Sequence, residues 1–468
     1  MSLQSRREFL KTTGGALTAV TAACAGTDQK RENRPNILIF ITDQQHSSMM
    51  SCAGNKYVKT PALDSLAASG IRFNRAYCAD PVCIPSRFSL MTGRMPGEIG
   101  LRSNDLSHID GIPEHILQHG MGTLFRSAGY DAAYGGKVHL PKMNAQDIGF
   151  EYICPDERNQ LADVCSEYIR QKRERPFLLF ASFINPHDIC YMAIRDFAIT
   201  EQAKQLIERG KTEVETLDLA LRLPGGVSRE EFFREYCPPV PANFEPQQDE
   251  PEAIKMLLAQ RPFRKNAREN WPEERWRLHR RAYCRLTEMV DAQIGSVLKA
   301  LRESGKEKDT LVIFTSDHGD MDSAHRMEHK TAFYDEACRI PFIARRPEVT
   351  PAGFVNSNHL ISNGLDLFPT LCDYAAIEVP AGLKGKSLRP LIEGHDWDNK
   401  RSFIPVESEI GHMIVTEDYK YQVYDAGKNS EQLIDLRNDP GEMRNSVSDP
   451  DKKEIVNSHR ELYRKTYG

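Results

Sequence analysis

The chain has 468 residues, of which 40% are hydrophobic, and 61 Lys and Arg residues stand against 66 Asp and Glu residues for a formal net charge of −5. This apolar share supports a folded core and excludes the collagen-like, coiled-coil and disordered classes. The mildly acidic balance gives no electrostatic case for a nucleic-acid partner. No apolar run reaches the roughly 20 residues that a membrane span requires. We expect one large domain with a smaller appendage.

The N-terminal residues have the pattern of an export signal. Arg6 and Arg7 precede residues 12–25, a stretch without charges that is rich in Ala, Gly and Thr. A basic segment followed by a short apolar segment and small residues is typical of a secretory leader, and the arginine pair resembles a twin-arginine signal. We therefore predict that residues 1–33 are signal and linker, and that the protein is exported, to the periplasm or beyond the cell. Cys24 leaves lipid anchoring open, and an ordinary N-terminal helix is the alternative.

Short apolar runs then alternate with helical patterns. Apolar runs without alternation fit strands that are buried on both faces, and they occur at residues 37–42, 130–134, 177–183, 310–315 and 340–344. Helical patterns occur at 62–69, 123–128 and 274–304, and Gly129 and Gly305 predict helix ends. This order predicts a three-layer α/β domain with a large, mostly parallel central sheet over residues 34–398.

Two further segments depart from this alternation. Residues 188–273 are polar, broken by Pro and rich in Arg, which indicates an insertion over one face of the sheet, helical in part at 201–209. Its role as scaffold or as substrate wall stays open. Residues 399–468 predict a small antiparallel β subdomain, with strands at 403–406, 413–416 and 419–424, a turn-rich segment and a helix at 452–467. The 11 cysteines include no C-x-x-C pair, so a structural zinc site is not expected and disulfide partners stay unassigned.

Polar side chains directly follow several of the predicted strands. In α/β sheets, ligands bind beyond the carboxyl ends of the strands, so these side chains are expected at one edge. Two carboxylates, an amide and an imidazole there predict a divalent cation site: Asp43, Gln44, Asp317 and His318. Other groups suit an anionic substrate or proton transfer: Lys137, His139, His187 and Lys330. Taken singly, each of these residues has a structural alternative, namely a role as turn former, helix cap or buried polar group.

The segment Cys83-Ile84-Pro85-Ser86-Arg87 carries the most specific pattern. Pro85 suits a first helical turn and the following residues continue helically to Gly93, so Cys83 is predicted at a helix N-terminus. Amide donors and the helix dipole favour an anion there, and Arg87 adds donors for tetrahedral oxygens. A plain thiolate, as in cysteine phosphatases, is one interpretation. Their loop has five residues between Cys and Arg where this chain has three, and a soft thiolate is a poor ligand for a hard cation.

With these motifs the chain resembles the type I sulfatases, the formylglycine-dependent family within the alkaline phosphatase superfamily. The most specific match is Cys83-x-Pro85-Ser86-Arg87 followed by Thr92-Gly93-Arg94. The other matches run in the family's order from residue 34 to about residue 445: Arg34-Pro35-Asn36, Thr60-Pro61-Ala62-Leu63-Asp64, Gly136-Lys137-x-His139, Asn185-Pro186-His187, Ser316-Asp317-His318-Gly319, Lys330 and Asn438-Asp439-Pro440-Gly441-Glu442. The resemblance implies an alkaline-phosphatase-like sandwich and hydrolysis of sulfate monoesters, with a sulfated carbohydrate as the expected substrate.

The resemblance also implies a chemistry. Cys83 would be oxidised to formylglycine by a formylglycine-generating enzyme or an anaerobic sulfatase-maturing enzyme. The hydrate of that aldehyde offers one oxygen to attack sulfur and a second whose deprotonation expels sulfate, an exit that a serine ester lacks. The implied cation ligands are Asp43, Gln44, modified Cys83, Asp317 and His318. Arg87 and Lys137 would stabilise the nucleophile, and His139 would assist proton transfer. His187 and Lys330 would bind the sulfate, with His187 as the acid that protonates the leaving group. Asn104 would make a further contact with the sulfate.

Two positions depart from the common family pattern. Gln44 stands where many sulfatases have a second Asp, and His318 stands where many have Asn. With fewer hard anionic oxygens we still expect Ca²⁺, with Mn²⁺ or another divalent cation as the alternative. The same Gln occurs in relatives that hydrolyse phosphonate monoesters or choline sulfate, so a phosphonate monoester hydrolase or phosphodiesterase is the first alternative function, although Ser86 favours a sulfatase. The second alternative is a non-catalytic binder of sulfated glycans in which Cys83 remains a thiol.

Overall fold

The computed structural model describes residues 34–397 and 400–468. The predicted signal and linker, including Cys24, lie outside the described residues. The strands of the large sheet are β1 (Asn36–Asp43), β2 (Ile71–Phe73), β4 (Asp131–Gly136), β5 (Glu151–Cys154), β6 (Phe177–Pro186), β7 (Thr310–Ser316), β8 (Phe342–Arg345) and β9 (Phe354–Asn356), while β3 (Ala76–Tyr77) and β10 (Ile361–Ser362) pair separately. The order of the eight strands is β5-β4-β6-β1-β7-β8-β2-β9, and only β8 runs antiparallel to its neighbours.

The central strands are buried on both faces, as their unbroken apolar runs predict. β1 lies between β6 and β7, both parallel to it, with Ile37 opposite Leu178 and Leu311. Alternate residues enter two separate cores, so that Ile37 belongs to one hydrophobic cluster and Leu38 to the other. Helices cover each face of the sheet, and the predicted three-layer α/β architecture is confirmed.

The helices follow the predicted positions closely. The predicted helices are observed at Pro61–Ala68, Met121–Ser127 and Glu273–Glu303. Gly129 and Gly305 follow the last two with φ of 87° and 73°, the left-handed region that glycine adopts without a Cβ clash. The remaining helices that position the site or its surroundings are Cys83–Thr92, Leu161–Arg170, Asp335–Cys338, Asn363–Ala375 and Arg389–Ile392.

Two predicted boundaries are wrong. The strand predicted at 340–344 begins only at Phe342, because Pro341 has no N–H to donate to a neighbouring strand. The segment after residue 424, predicted as turns, contains a further strand, β14 (Glu431–Asp435). The sequence does not indicate this strand, because only Leu433 and Ile434 are strongly apolar and its ends are polar. Its register is set by pairing with the preceding strand.

The insertion is more helical than predicted. Besides the predicted helix Glu201–Arg209 it forms Tyr191–Asp196, Lys211–Ala220, Glu252–Gln260 and Pro262–Asn270. Its apolar side chains share a core with the first half of the long helix Glu273–Glu303, where Trp276 and Tyr283 are fully buried. The insertion therefore packs on that helix and, as shown below, also reaches the rim of the site.

The C-terminal part forms the predicted small antiparallel sheet and helix. Its strands are β11 (Ile404–Ser408), β12 (Gly411–Val415), β13 (Tyr419–Tyr424) and β14, in that order, and the helix is Lys453–Tyr467. The proposed division at residues 398 and 399 stays a prediction. No helix within the described residues combines the length and hydropathy that a membrane crossing needs. The cysteines of the described residues are all free.

An ion cluster around the fully buried Lys420 joins the two parts of the chain. Lys420 on β13 has no exposed side-chain surface, and its Nζ lies 2.6 Å from Asp335 and 2.9 Å from Glu442. The Phe333 carbonyl accepts a third hydrogen bond from it at 3.1 Å. The cluster thus holds the small sheet against the short helix Asp335–Cys338.

We predict that Lys420→Ala lowers the free energy of unfolding by about 3–5 kcal/mol, because it leaves the buried carboxylate of Glu442 without its cation and removes one of the two cations that pair with Asp335. Chemical denaturation of the purified protein measures this effect. Lys428→Ala, at an exposed lysine in the same subdomain, is the matched control and should change stability by less than about 0.5 kcal/mol. Equal stabilities of the two variants would contradict the assigned role of the cluster.

Candidate active site

Cys83 occupies the first position of the helix Cys83–Thr92, as predicted, and is 1% exposed. The backbone N–H of Ile84 in the first turn donates to Asn104 Oδ1 at 3.0 Å. Asn104, predicted as a substrate contact, therefore caps the helix that presents Cys83 and satisfies one of its free amide donors. A contact between Asn104 and substrate stays a prediction.

Arg87 lies one turn further along the same helix and is 1% exposed. Its guanidinium donates to Asp317 Oδ2 at 2.8 Å and to Asp43 Oδ2 at 3.1 Å. It also donates to the Lys137 carbonyl and to Ser182 Oγ. Arg87 thus fixes the two carboxylates in place, and the predicted stabilisation of the nucleophile by Arg87 stays a prediction.

The strand ends bring four potential metal ligands together. One ligand atom from each of Asp43, Cys83, Asp317 and His318 lies within 4.8 Å of all the others, and all four residues are buried. His318 Nε2 lies 3.8 Å from Asp43 Oδ1 and 3.6 Å from Asp317 Oδ1. Since Ca²⁺–oxygen distances are about 2.3–2.6 Å, atoms at this spacing can share one ion.

The orientation of His318 also fits a metal ligand. Its Nδ1 lies 2.9 Å from the Gly319 carbonyl, which accepts a hydrogen bond from Nδ1–H. This bond leaves Nε2 facing Cys83 Sγ at 3.2 Å and the two carboxylates, a position from which the neutral ring could bind a metal. Burial and the neighbouring Asp43 carboxylate raise the pKa of Asp317. A cation between the two carboxylates would relieve that repulsion, so the residues present fit a divalent metal.

Gln44 is placed differently from the other predicted ligands. Its Nε2 donates to Asp320 Oδ2 at 2.6 Å, and its Oε1 accepts from the Cys190 thiol at 3.2 Å. Only its backbone enters the cluster, where the N–H donates to Asp317 Oδ1 at 3.1 Å. Gln44 therefore connects the cluster to the insertion, and its predicted role as a cation ligand stays a prediction.

Two lysines approach the Cys83 sulfur. Lys330 Nζ donates to Cys83 Sγ at 2.9 Å, and Lys137 Nζ lies 3.8 Å from Sγ and 2.7 Å from Asp43 Oδ2. Burial and Asp43 raise the pKa of the Cys83 thiol, but Lys137, Lys330 and His318 outweigh them and hold it well below its usual value. The surrounding positive charges therefore stabilise an anion at position 83. In a formylglycine enzyme the aldehyde hydrate would stand where this sulfur lies.

Both predicted histidines also face the site. Burial lowers the pKa of His139, and the neighbouring Cys83 thiol acts in the opposite direction. His187 follows β6 directly, and its Nδ1 is buried without a hydrogen-bond partner among the described residues. Burial together with the charges of Lys137 and Lys330 keeps the pKa of His187 well below its usual value, so its ring is neutral at pH 7.

Sequence reasoning missed three supporting residues. Ser182 bonds both Arg87 and the Lys137 carbonyl, at 2.8 Å each. It is the one hydroxyl in the apolar run 177–183, a signal that could have been used. Cys190 and Asp320 bind the Gln44 side chain, and neither carries a pattern that separates it from other buried polar residues.

The fold and the site define a hydrolase of anionic esters, with four potential metal ligands at the carboxyl edge of a mostly parallel sheet. The sulfatase family model matches residues 35–377, and the model for the C-terminal region of N-sulphoglucosamine sulphohydrolase matches residues 323–466. The chain belongs to the sulfatase family, as its motifs predicted. It is therefore an enzyme of sulfate ester hydrolysis rather than a passive binder, and the family implies a divalent metal and a formylglycine.

Individual relatives agree with this assignment. The Delta 4,5-hexuronate-2-O-sulfatase of Bacteroides thetaiotaomicron is 30% identical over 94% of this chain and 90% of its own length. A solved structure of a 2-O GAG sulfatase has a TM-score of 0.77 at 28% identity and covers 92% of each chain. A phosphonate monoester hydrolase of Agrobacterium radiobacter has a TM-score of 0.67 at 21% identity over 92% of this chain and 95% of its own, which shows a shared fold alone.

Proposed function

We propose that this sulfatase removes sulfate from a sulfated carbohydrate, using the hydrate of a formylglycine at position 83. The observation that carries the proposal is the convergence of Lys330 and Lys137 on a buried Cys83 at a helix N-terminus, beside the carboxylates of Asp43 and Asp317. The glycan part is supported by relatives, two of which are named as sulfatases of hexuronate and of N-acetylglucosamine.

In this proposal Asp43, Asp317, His318 and the modified residue 83 would hold Ca²⁺, and Gln44 would be a further ligand if its amide turned inward. The cation would neutralise developing charge on the sulfate oxygens and favour deprotonation of the hydrate at position 83. Arg87 keeps both carboxylates oriented through its bonds to Asp43 and Asp317. Lys330 and Lys137 donate to the oxygens of residue 83 and of the bound sulfate.

Proton transfer falls to the two histidines. His139, whose pKa is lowered by burial and raised by residue 83, accepts the proton that leaves the hydrate. His187 donates to the leaving oxygen. Burial and the nearby lysines lower the pKa of His187, so the ring is neutral in the free enzyme. The negative charge of a bound ester would offset the lysines and raise this pKa, which favours the protonated ring.

Maturation and location complete the proposal. A formylglycine-generating enzyme or an anaerobic sulfatase-maturing enzyme would oxidise Cys83. The twin-arginine-like segment before residue 34 would direct the protein to the periplasm or outside the cell, with Cys24 as a site for lipid attachment if it is processed as a lipoprotein.

Turnover of matched esters tests the function. We expect kcat/KM for 4-nitrophenyl sulfate to exceed that for a 4-nitrophenyl phosphonate monoester by about 100-fold, because the site discriminates between transition states. Activity should fall after chelation and return with Ca²⁺ more fully than with Mn²⁺. A preference for the phosphonate would replace this function with the alternative hydrolase, and full recovery with Mn²⁺ alone would correct the metal.

A further inference from the structure

The insertion carries a buried arginine without a countercharge. Arg264 lies on the helix Pro262–Asn270 and is 9% exposed. Its Nε has no hydrogen-bond partner, and no carboxylate of residues 34–397 or 400–468 forms an ion pair with it. Arg268, one turn further along, binds Glu250 at 2.7 Å. The fold therefore satisfies one arginine of this helix and leaves the other unmatched.

An unmatched buried cation is costly for a folded protein. Burial lowers the pKa of Arg264 to about 10, so the guanidinium is still charged at neutral pH. Desolvating a charge without a partner disfavours folding, and such groups are concentrated at functional sites. A ligand that supplied the missing negative charge would remove this penalty.

Arg264 lies beside the proposed sulfate pocket. The ring of the preceding residue, Phe263, is 5.3 Å from the ring of His329, which directly precedes Lys330. The helix Pro262–Asn270 also packs on the helix Tyr191–Asp196, which directly follows Cys190, and the Cys190 thiol contacts Gln44. Arg264 thus flanks the pocket between the Lys330 segment and the start of the insertion.

Two further segments interact electrostatically with the start of this helix. Glu409, in the turn between β11 and β12, acts on Arg264 electrostatically but lies beyond ion-pair distance. Arg261, which immediately precedes the same helix, acts on Asp105, the neighbour of Asn104.

We propose that Arg264 binds a second anionic group of the substrate, a carboxylate or a second sulfate, next to the sulfate that is cleaved. This inference rests on the proposed function, because it places the charge recognition beside the same pocket. The planar guanidinium offers paired donors that match either anion. The insertion would then be a substrate wall that selects multiply charged sugars.

Three disaccharide substrates with the same scissile sulfate test the inference: one with a uronate carboxylate, one with that carboxyl reduced to an alcohol, and one with a second sulfate ester. We expect wild-type kcat/KM to be about 10- to 100-fold higher for a charged substrate than for the reduced one, the range for a charge-assisted hydrogen bond. Whichever anion shows the preference identifies the ligand. Arg264→Met should bring the ratio near one, and Arg264→Lys should retain part of it.

Arg268→Met is the matched control and should leave the ratio unchanged, since that arginine already has a partner in Glu250. Thermal unfolding of Arg264→Met should occur at the wild-type temperature or higher, because the variant removes an unpaired buried charge. A wild-type ratio near one for both anions overturns the inference, as does a ratio that Arg264→Met preserves. If Arg264→Met does not fold, the wild-type and Arg264→Lys ratios decide the matter.

The two levels of the proposal fail differently. Hydrolysis of 4-nitrophenyl sulfate and of the reduced disaccharide without any charge preference would remove only the role of Arg264. Absence of turnover with every sulfate ester, 4-nitrophenyl sulfate included, would overturn the proposed function and the inference with it.

Discussion

Cys83→Ala is expected to abolish sulfate ester hydrolysis, with a loss on the order of 10⁶-fold, the scale on which removal of a nucleophile acts. The reason is that residue 83 supplies the attacking oxygen, while the surrounding lysines and carboxylates only stabilise and orient it. Turnover of 4-nitrophenyl sulfate by purified protein measures the loss. The variant should still fold, because a small side chain replaces a small buried one.

Peptide mass analysis of active protein gives the matching chemical readout. Cleavage after Arg75 and Arg87 yields residues 76–87, a peptide that contains Cys78 as well as Cys83. We expect an aldehyde oxygen in place of sulfur at Cys83, while Cys78 remains a thiol and serves as an internal control. Fully active protein with two thiols in this peptide would refute the formylglycine mechanism.

Lys330→Ala is expected to lower kcat/KM for sulfate esters by about 10³-fold, the effect of removing one transition-state donor. Lys330 lies 2.9 Å from the Cys83 sulfur and is 6% exposed, so water cannot readily replace its charge. Inhibition by inorganic sulfate should weaken as well, since the same Nζ would bind the product.

Lys299→Ala, at an exposed lysine of the long helix, is the control for this variant and should leave turnover within about twofold, because surface substitutions have small effects. Lys330→Met tests the charge at nearly constant side-chain length. Wild-type rates in both Lys330 variants would show that the charge acts elsewhere than on the reacting sulfate.

The strands that build the site were predictable because their signal is local. Residues 37–41 and 311–314 are apolar without interruption, and runs of this length favour strands buried on both faces of a sheet. Asp43 and Asp317 follow them closely, so the topology of parallel strands brings the carboxylates together. β14 carries little signal of its own, because only two of its five residues are strongly apolar, and it depends on pairing with β13.

Pairings between distant side chains were not predictable. The motif indicated that Arg87 and Asn104 belong to the site, but their hydrogen bonds to Asp43, Asp317 and the Ile84 N–H arise only when separate segments pack together. Gln44 likewise follows a strand as a ligand would, yet its side chain meets Cys190 of the insertion.

The sequence by itself determined the three-layer fold, the family and the chemical type of the site, because these depend on local periodicity and on short motifs whose order along the chain is fixed. Only the tertiary structure decided which charged side chains form ion pairs and which are buried without a partner. Arg264 and Arg268 look alike in sequence. In the folded chain Arg268 pairs with Glu250, whereas Arg264 has no carboxylate partner among the described residues. The physical reason is that the energy of a buried charge depends on neighbours contributed by remote parts of the chain.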